Sequence, residues 1–405
     1  MTGPAPRPMV PPEWRLRLGL ALLATVLAAG AWALRDAVDP RLRALAGLVA
    51  FLAVAGACSA RIRSVNLRMV ASGLALQAGF GWLVLKGEVA GVRPAYEFFA
   101  GLAAVVTQFL EFTNAGSQFV FRGAGGPGAD GRGVPQRVVV KVMARVMAKV
   151  MGTSGAESLS AAANVFLGQT EAPIVTRPYI AGMTQSELLA LMIGGMATIA
   201  GTVMAIYISL GADPVAISCC RETDTPATIG TVRMTVESDH VNVIDALATG
   251  ASDGTRLAIN VAAMLIAFLA FIAMFDFVLG LLHPSLSLAA IFAVCFAPVA
   301  ALLGVSSADL PAVADLLGTK LATNEFVAFI QLNETYLGTV SERTRVVATF
   351  ALSGFANVGS IGILLGGIGG LAPSRRADLA RLGPVALLGG FLATLINAAI
   401  ASMLL

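Results

Sequence analysis

Long apolar runs, interrupted at regular distances by cations, dominate the front of the chain. Leu18 to Leu34 lies between Arg17 and Arg35, Ala44 to Ala60 between Arg43 and Arg61, and Met69 to Leu85 between Arg68 and Lys86, none with an internal charge. About 20 apolar residues cross the hydrocarbon of a bilayer, with roughly 17 as the lower bound. Flanking cations suit helix ends whose charged heads reach the lipid headgroups. The pattern therefore predicts three transmembrane helices. The first run also carries Ala31-Trp32-Ala33, which fits leader cleavage, but it is longer than the roughly 7 to 15 apolar residues of a leader. Later spans are expected at Leu188 to Leu210, Leu257 to Leu282, Leu286 to Val305, Val346 to Ile368 and Leu382 to Leu405.

Between these runs the pattern changes. From Pro94 to Phe121, apolar residues recur at helical spacing around Glu97, Gln108 and Glu111, as in a helix lying along the membrane surface or against a protein neighbour. The stretch 122–151 is glycine-rich and then basic, with Lys141, Arg145 and Lys149 every fourth residue, a stripe that cannot face lipid. The stretch 213–255 is polar and charged. The chain thus divides into transmembrane helices over 1–93, the interfacial and basic segments over 94–151, a first hairpin and broken helix over 152–212, the polar segment over 213–255, and a second such set over 256–405.

Composition narrows the classes. Apolar residues make up 57% and charged residues 13% of the 405, against about 45–50% and 25% in soluble domains, which excludes a soluble enzyme. A net charge of +3 is too balanced for binding nucleic acid through its phosphates. Four cysteines and two histidines lack the spacing of a disulfide framework or a metal-bound catalyst. No nucleophile elbow or phosphate loop is found, so no enzymatic activity and no cofactor are expected.

Ionisable groups at membrane depth are costly and mark function. In Ser160 to Pro173 a short apolar helix carrying Asn164 runs into Gly168, Gln169, Thr170 and Glu171. In Lys320 to Phe329 an apolar stretch carries Asn324 and Glu325 after a polar turn at Ser306, Ser307 and Asp309. Each reads as a re-entrant hairpin whose tip turns back at mid-depth. Each is followed by a span with a mid-length cluster of glycine, hydroxyl and amide residues: Gly194 to Thr202, and Ser353 to Gly362. Such clusters release helix hydrogen bonds towards a ligand. Hairpin, broken span, hairpin, broken span predicts an all-α polytopic membrane protein with the inverted repeats of a secondary transporter.

On these residues, namely Gly168 to Pro173, Met183 to Leu188, Asn324 to Ala328, Gly354 to Asn357 and Leu364 to Pro373, the chain resembles the concentrative nucleoside transporter family over 44–121, 152–211 and 242–405. The resemblance implies a homotrimer in the cell membrane that binds a nucleoside between two hairpins and two unwound helices. It also implies inward transport driven by sodium or by protons. Gln169, Thr170 and Glu171 would contact the nucleobase; Glu325, Asn357 and Ser360 would hold the ribose hydroxyls; Phe355 would pack near the ligand. Sodium would be held by the side chains of Asn164 and Thr198 and the carbonyls of Leu167 and Ile199, oxygen donors that fit a hard cation, and this favours sodium over proton coupling.

Two segments depart from the family pattern. Where the family carries a transmembrane helix before the first hairpin and another after the first broken span, this chain has the charged stretches 122–151 and 213–241. Losing both would invert the first repeat and keep Glu171 from facing Glu325. A non-transporting member of the family is therefore the alternative to symport.

Overall fold

In the computed structural model the described residues are 13–59, 62–65, 67–88, 97, 159–160, 164, 168–170, 172–199, 248, 252, 255, 259, 266, 270, 273–283 and 286–405. Most of the expected interfacial helix, the basic stretch, nearly all of the polar stretch, Leu167 and Glu171 lie outside them.

The three predicted front spans are helices α1 (Trp14–Ala33), α2 (Pro40–Cys58) and α3 (Leu67–Leu85). Each begins two to four residues before the apolar run, because charged residues complete the first turn. Helix α2 starts where it does for a local reason. The Asp39 carboxylate accepts from the Arg41 N–H at 2.7 Å, and Pro40 stands at the first position, where no N–H is needed.

The rest of the described chain supplies α4 (Ala172–Val175), α5 (Arg177–Ile180), α6 (Gln185–Ala197), α7 (Leu288–Leu302), α8 (Leu310–Ala322), α9 (Glu325–Glu334), α10 (Glu342–Leu352), α11 (Val358–Leu371) and α12 (Arg376–Leu404). No strand occurs among the described residues. Three helical stretches there, Trp14–Ala33, Pro40–Cys58 and Pro373–Leu404, are long and apolar enough to cross a membrane.

Helix α12 is the spine. It packs on α2, α3, α6, α10 and α11, and 61% of its most apolar window is buried, against 11% for α1 at the periphery. Small residues set these approaches. A side chain at Gly47 of α2 would lie 2.1 Å from the Leu302 carbonyl of α7. Gly304 takes φ +69° to turn the chain after α7, and a Cβ there would meet the Pro40 carbonyl at 2.1 Å. The carbonyls of that turn are taken by arginines: Arg343 donates to Gly304 O at 2.7 Å and Arg43 to Val305 O at 2.9 Å.

The second expected hairpin is present as α8 and α9, packed on each other. Its arms are tied at the open end by the Tyr336 hydroxyl, which donates to Asp315 at 2.8 Å. Burial, and then the bond to Asp315, push that hydroxyl well above its usual range, so it remains a donor. The foot of the hairpin is fixed to α10 by Asp309, which accepts from the Ser341 hydroxyl at 2.8 Å and its N–H at 3.2 Å.

Burial opposes the charge on Asp309, but hydrogen bonds from Thr344, Ser306 and Ser341 outweigh it and hold the carboxyl below its ordinary value of 3.8. A depressed folded-state pKa contributes stability above the unfolded value and loses it as pH falls through the folded one. Asp309→Asn is expected to lower stability near neutral pH by about 2 kcal/mol. In detergent-solubilised protein its deficit in melting temperature against wild type should shrink as pH falls below about 4. A deficit independent of pH would contradict this.

Candidate functional site

The tip of the second hairpin forms because two side chains replace lost backbone bonds. Thr323 donates from its hydroxyl to Thr319 O at 2.6 Å, and the extended Asn324 accepts from the Val327 N–H at 2.9 Å, capping α9. Glu325 is thereby the first residue of α9, where the free N–H groups and the helix dipole favour a carboxylate. It is only 4% exposed.

The broken span after it is equally specific. Helix α10 ends at Leu352, and the Ser353 hydroxyl donates back to Thr349 O at 2.6 Å. Residues 353–357 are not helical. Asn357 then caps α11, its Oδ1 accepting from the Ser360 N–H at 2.9 Å, while its Nδ2 donates to Glu325 at 3.0 Å. One amide thus starts a helix and ties the span to the hairpin tip.

In the first repeat, α6 opens with a capping box. The Thr184 N–H donates to the Glu187 carboxylate at 2.8 Å, and the Glu187 N–H to the Thr184 hydroxyl at 3.2 Å. The helix stops at Ala197 because Thr198 is extended, and the Thr198 hydroxyl donates back to Gly194 O at 2.9 Å.

The described parts of the first hairpin lie on glycines. A Cβ at Gly194 would be 3.2 Å from the Asn164 amide nitrogen, one at Gly195 3.0 Å from Gln169 Cβ, and one at Gly367 of α11 2.7 Å from Thr170 Cγ2. Hairpin tip, first broken span and second broken span therefore meet. At its foot, Arg375 donates to the carbonyls of Ala181, at 3.2 Å, and Met183.

The two breaks cross in direct contact. The Phe355 N–H donates to Thr198 O at 3.2 Å, and a Cβ at Gly354 would stand 3.0 Å from Met196 O and 2.6 Å from Thr394 Cγ2. Around this crossing Asn164 Oδ1, Gln169 Oε1 and Ser360 Oγ are buried with no hydrogen-bond partner among the described residues. Asn164, Gln169, Thr170, Thr198, Ile199, Glu325, Phe355, Asn357 and Ser360 all lie on the hairpin tips and breaks. Sequence reasoning missed Lys320, fully buried on α8 and bonded to Ala351 O; a cation four residues before a hairpin tip was the signal.

Neutral oxygens dominate the first repeat's share of the site. With its proton given to Gly194 O, the Thr198 hydroxyl keeps lone pairs for a cation, and Asn164 adds an unpaired oxygen. Such donors suit a hard ion. Among the described residues no group of three histidine, cysteine, aspartate or glutamate side chains could hold a metal.

Family models match most of the chain: the "Na+ dependent nucleoside transporter C-terminus" over 189–402, the corresponding N-terminus over 46–124, and "Nucleoside recognition" over 137–214. The chain belongs to the Na+ dependent nucleoside transporter family. An uncharacterized transporter of Haemophilus influenzae is 38% identical over 89% of this chain and 97% of its own length. Human sodium/nucleoside cotransporter 1 is 35% identical over 100% of this chain and 71% of its own. The structure of CNTnw in an inward-facing, substrate-bound state matches at TM-score 0.78 and 34% identity, covering 90% of this chain and 97% of that one. A variant of CNTnw in an outward-facing state also matches at 0.78, so the likeness is to the fold rather than to one state. The family is one of membrane transporters and not of enzymes.

The 413 aligned positions with the Haemophilus protein draw on 89% of 405 residues, about 360, so roughly fifty of them are gaps in this chain.

Gly354 is the tightest point of the crossing. Gly354→Ala is expected to cost about 1–3 kcal/mol through overpacking against backbone, read as a lower melting temperature of the purified protein. An unchanged melting temperature would contradict the close approach.

Proposed function

We propose that this chain carries nucleosides into the cell with sodium, across the cell membrane, and that both bind where the two broken spans cross. Gln169 and Thr170, with Glu171 beside them in sequence, meet the nucleobase. Glu325 and Asn357, with Ser360, take the ribose hydroxyls, and Phe355 lines the ligand. A carboxylate accepts from two vicinal hydroxyls, and an amide reads donor and acceptor edges of a base. Sodium sits on Asn164, Thr198 and the carbonyls of Leu167 and Ile199. The protein works as a homotrimer, as the resemblance implies.

The observation that carries this reading is the cluster of unpaired oxygens at the crossing: Asn164 Oδ1, Gln169 Oε1 and Ser360 Oγ. Each buried polar atom left unsatisfied costs about 1–3 kcal/mol, and ligands with hydroxyls, ring nitrogens and a hard cation offset that cost. Neutral oxygens around Thr198 favour sodium over a proton as the coupling ion.

A second reading, a member that binds nucleoside without moving it, is favoured by the roughly fifty alignment positions that have no residue here. One experiment addresses both. Cells expressing the chain are expected to accumulate labelled uridine only with sodium, and Glu325→Gln should lower uptake by about tenfold or more. Uptake untouched by Glu325→Gln would reject the ribose assignment; sodium-dependent binding by the purified chain without uptake would select the second reading.

A further inference from the structure

Lys320 is among the largest fully buried side chains of the described residues, at 0% exposure. Its ammonium donates to Ala351 O at 2.7 Å and to the Thr394 hydroxyl oxygen at 2.9 Å, and lies 5.3 Å from the centre of the Phe391 ring. A buried charge is tolerated only where it is bonded, so its partners show what it is for. In an unbroken helix Ala351 O would accept from the N–H four residues on, which is that of Phe355. That N–H is instead given to Thr198 O across the crossing. The Lys320 ammonium takes its place.

The two repeats are alike at this point. Thr198 and Ser353, each the first residue after a helix stops, turn their hydroxyls back to the fourth preceding carbonyl, Gly194 O and Thr349 O. Asn164 stands four residues before Gly168, and Lys320 four residues before Asn324, the unwound residues of their hairpins. So one repeat places an amide with a free oxygen beside its released helix end, and the other places an ammonium. We propose that the Lys320 ammonium is the fixed counterpart, in the second repeat, of the mobile sodium in the first. It holds the opened end of α10 and so positions Asn357 and Glu325. This rests on the sodium assignment to Asn164 and Thr198.

The test is sodium-dependent binding of labelled uridine to the purified full chain. Lys320→Met, which keeps most of the volume without the charge, should weaken uridine binding by about tenfold or more. Lys320→Ala should be weakened alike and be partly restored by propylammonium, which replaces the atoms removed. Wild-type affinity in Lys320→Met, or a folded Lys320→Ala that propylammonium leaves unimproved, would overturn the proposal. Asn164→Leu, measured alongside, should lose its response to sodium. If it keeps that response the sodium assignment fails and the analogy with it; a sodium-blind Asn164→Leu beside an unimpaired Lys320→Met overturns the Lys320 proposal alone.

Discussion

Inside hydrocarbon a helix can be interrupted only where each freed N–H and C=O finds a partner in the protein or in what it binds. This chain brings the end of α6 and the break after α10 to one place, where the Phe355 N–H donates to Thr198 O and Ala351 O accepts from Lys320 of the second hairpin. The remaining needs are met by side chains one turn away, Ser353 and Thr198 turning back and Asn357 capping forward. Among the described residues, Asn164 Oδ1, Gln169 Oε1 and Ser360 Oγ are left buried without a partner. Fold and proposed site are therefore one arrangement, since the contacts that bring the repeats together lie among the residues to which the ligands are assigned.

Such a crossing demands that two backbones approach without side chains between them. Gly354 meets the end of α6, Gly195 and Gly367 seat the first hairpin, and Gly390 of α12 lies against Met196. The second hairpin is held differently, by polar ties at three heights: Asp309 to Ser341 at the foot, Lys320 to Ala351 in the middle and Glu325 to Asn357 at the tip. Close glycine contacts thus seat the described parts of the first hairpin, and directional bonds hold the second.

Much of this was legible in sequence because membrane depth amplifies each exception. An acid beside an amide on an apolar stretch, Asn324-Glu325, reads as a hairpin tip, and the break at Ser353 to Asn357 follows from glycine, hydroxyl and amide clustering. The front spans were legible from length and fencing cations. Pairing was not. That Asn357 serves Glu325 and Ser360 at once, that Phe355 bonds Thr198, and that Lys320 caps α10 depend on contacts between residues far apart in the chain, which no periodicity encodes. The two repeats meet at Thr198 and Phe355, while Glu171, on which the expectation about the shortened segments turned, lies outside the described residues. Glu171 and Leu167 stand in sequence beside residues that do meet.

The central claim is that the crossing is a wet, ligand-binding pocket rather than a sealed packing contact. Its most direct measure is the labelling rate of Ser360→Cys, in a chain whose four native cysteines are replaced, by a thiol reagent that stays in water. Slow labelling that sodium and uridine together slow by about tenfold or more is the result predicted. A residue that never labels, or one that labels at the rate of a free thiol whether or not ligands are present, would contradict the account.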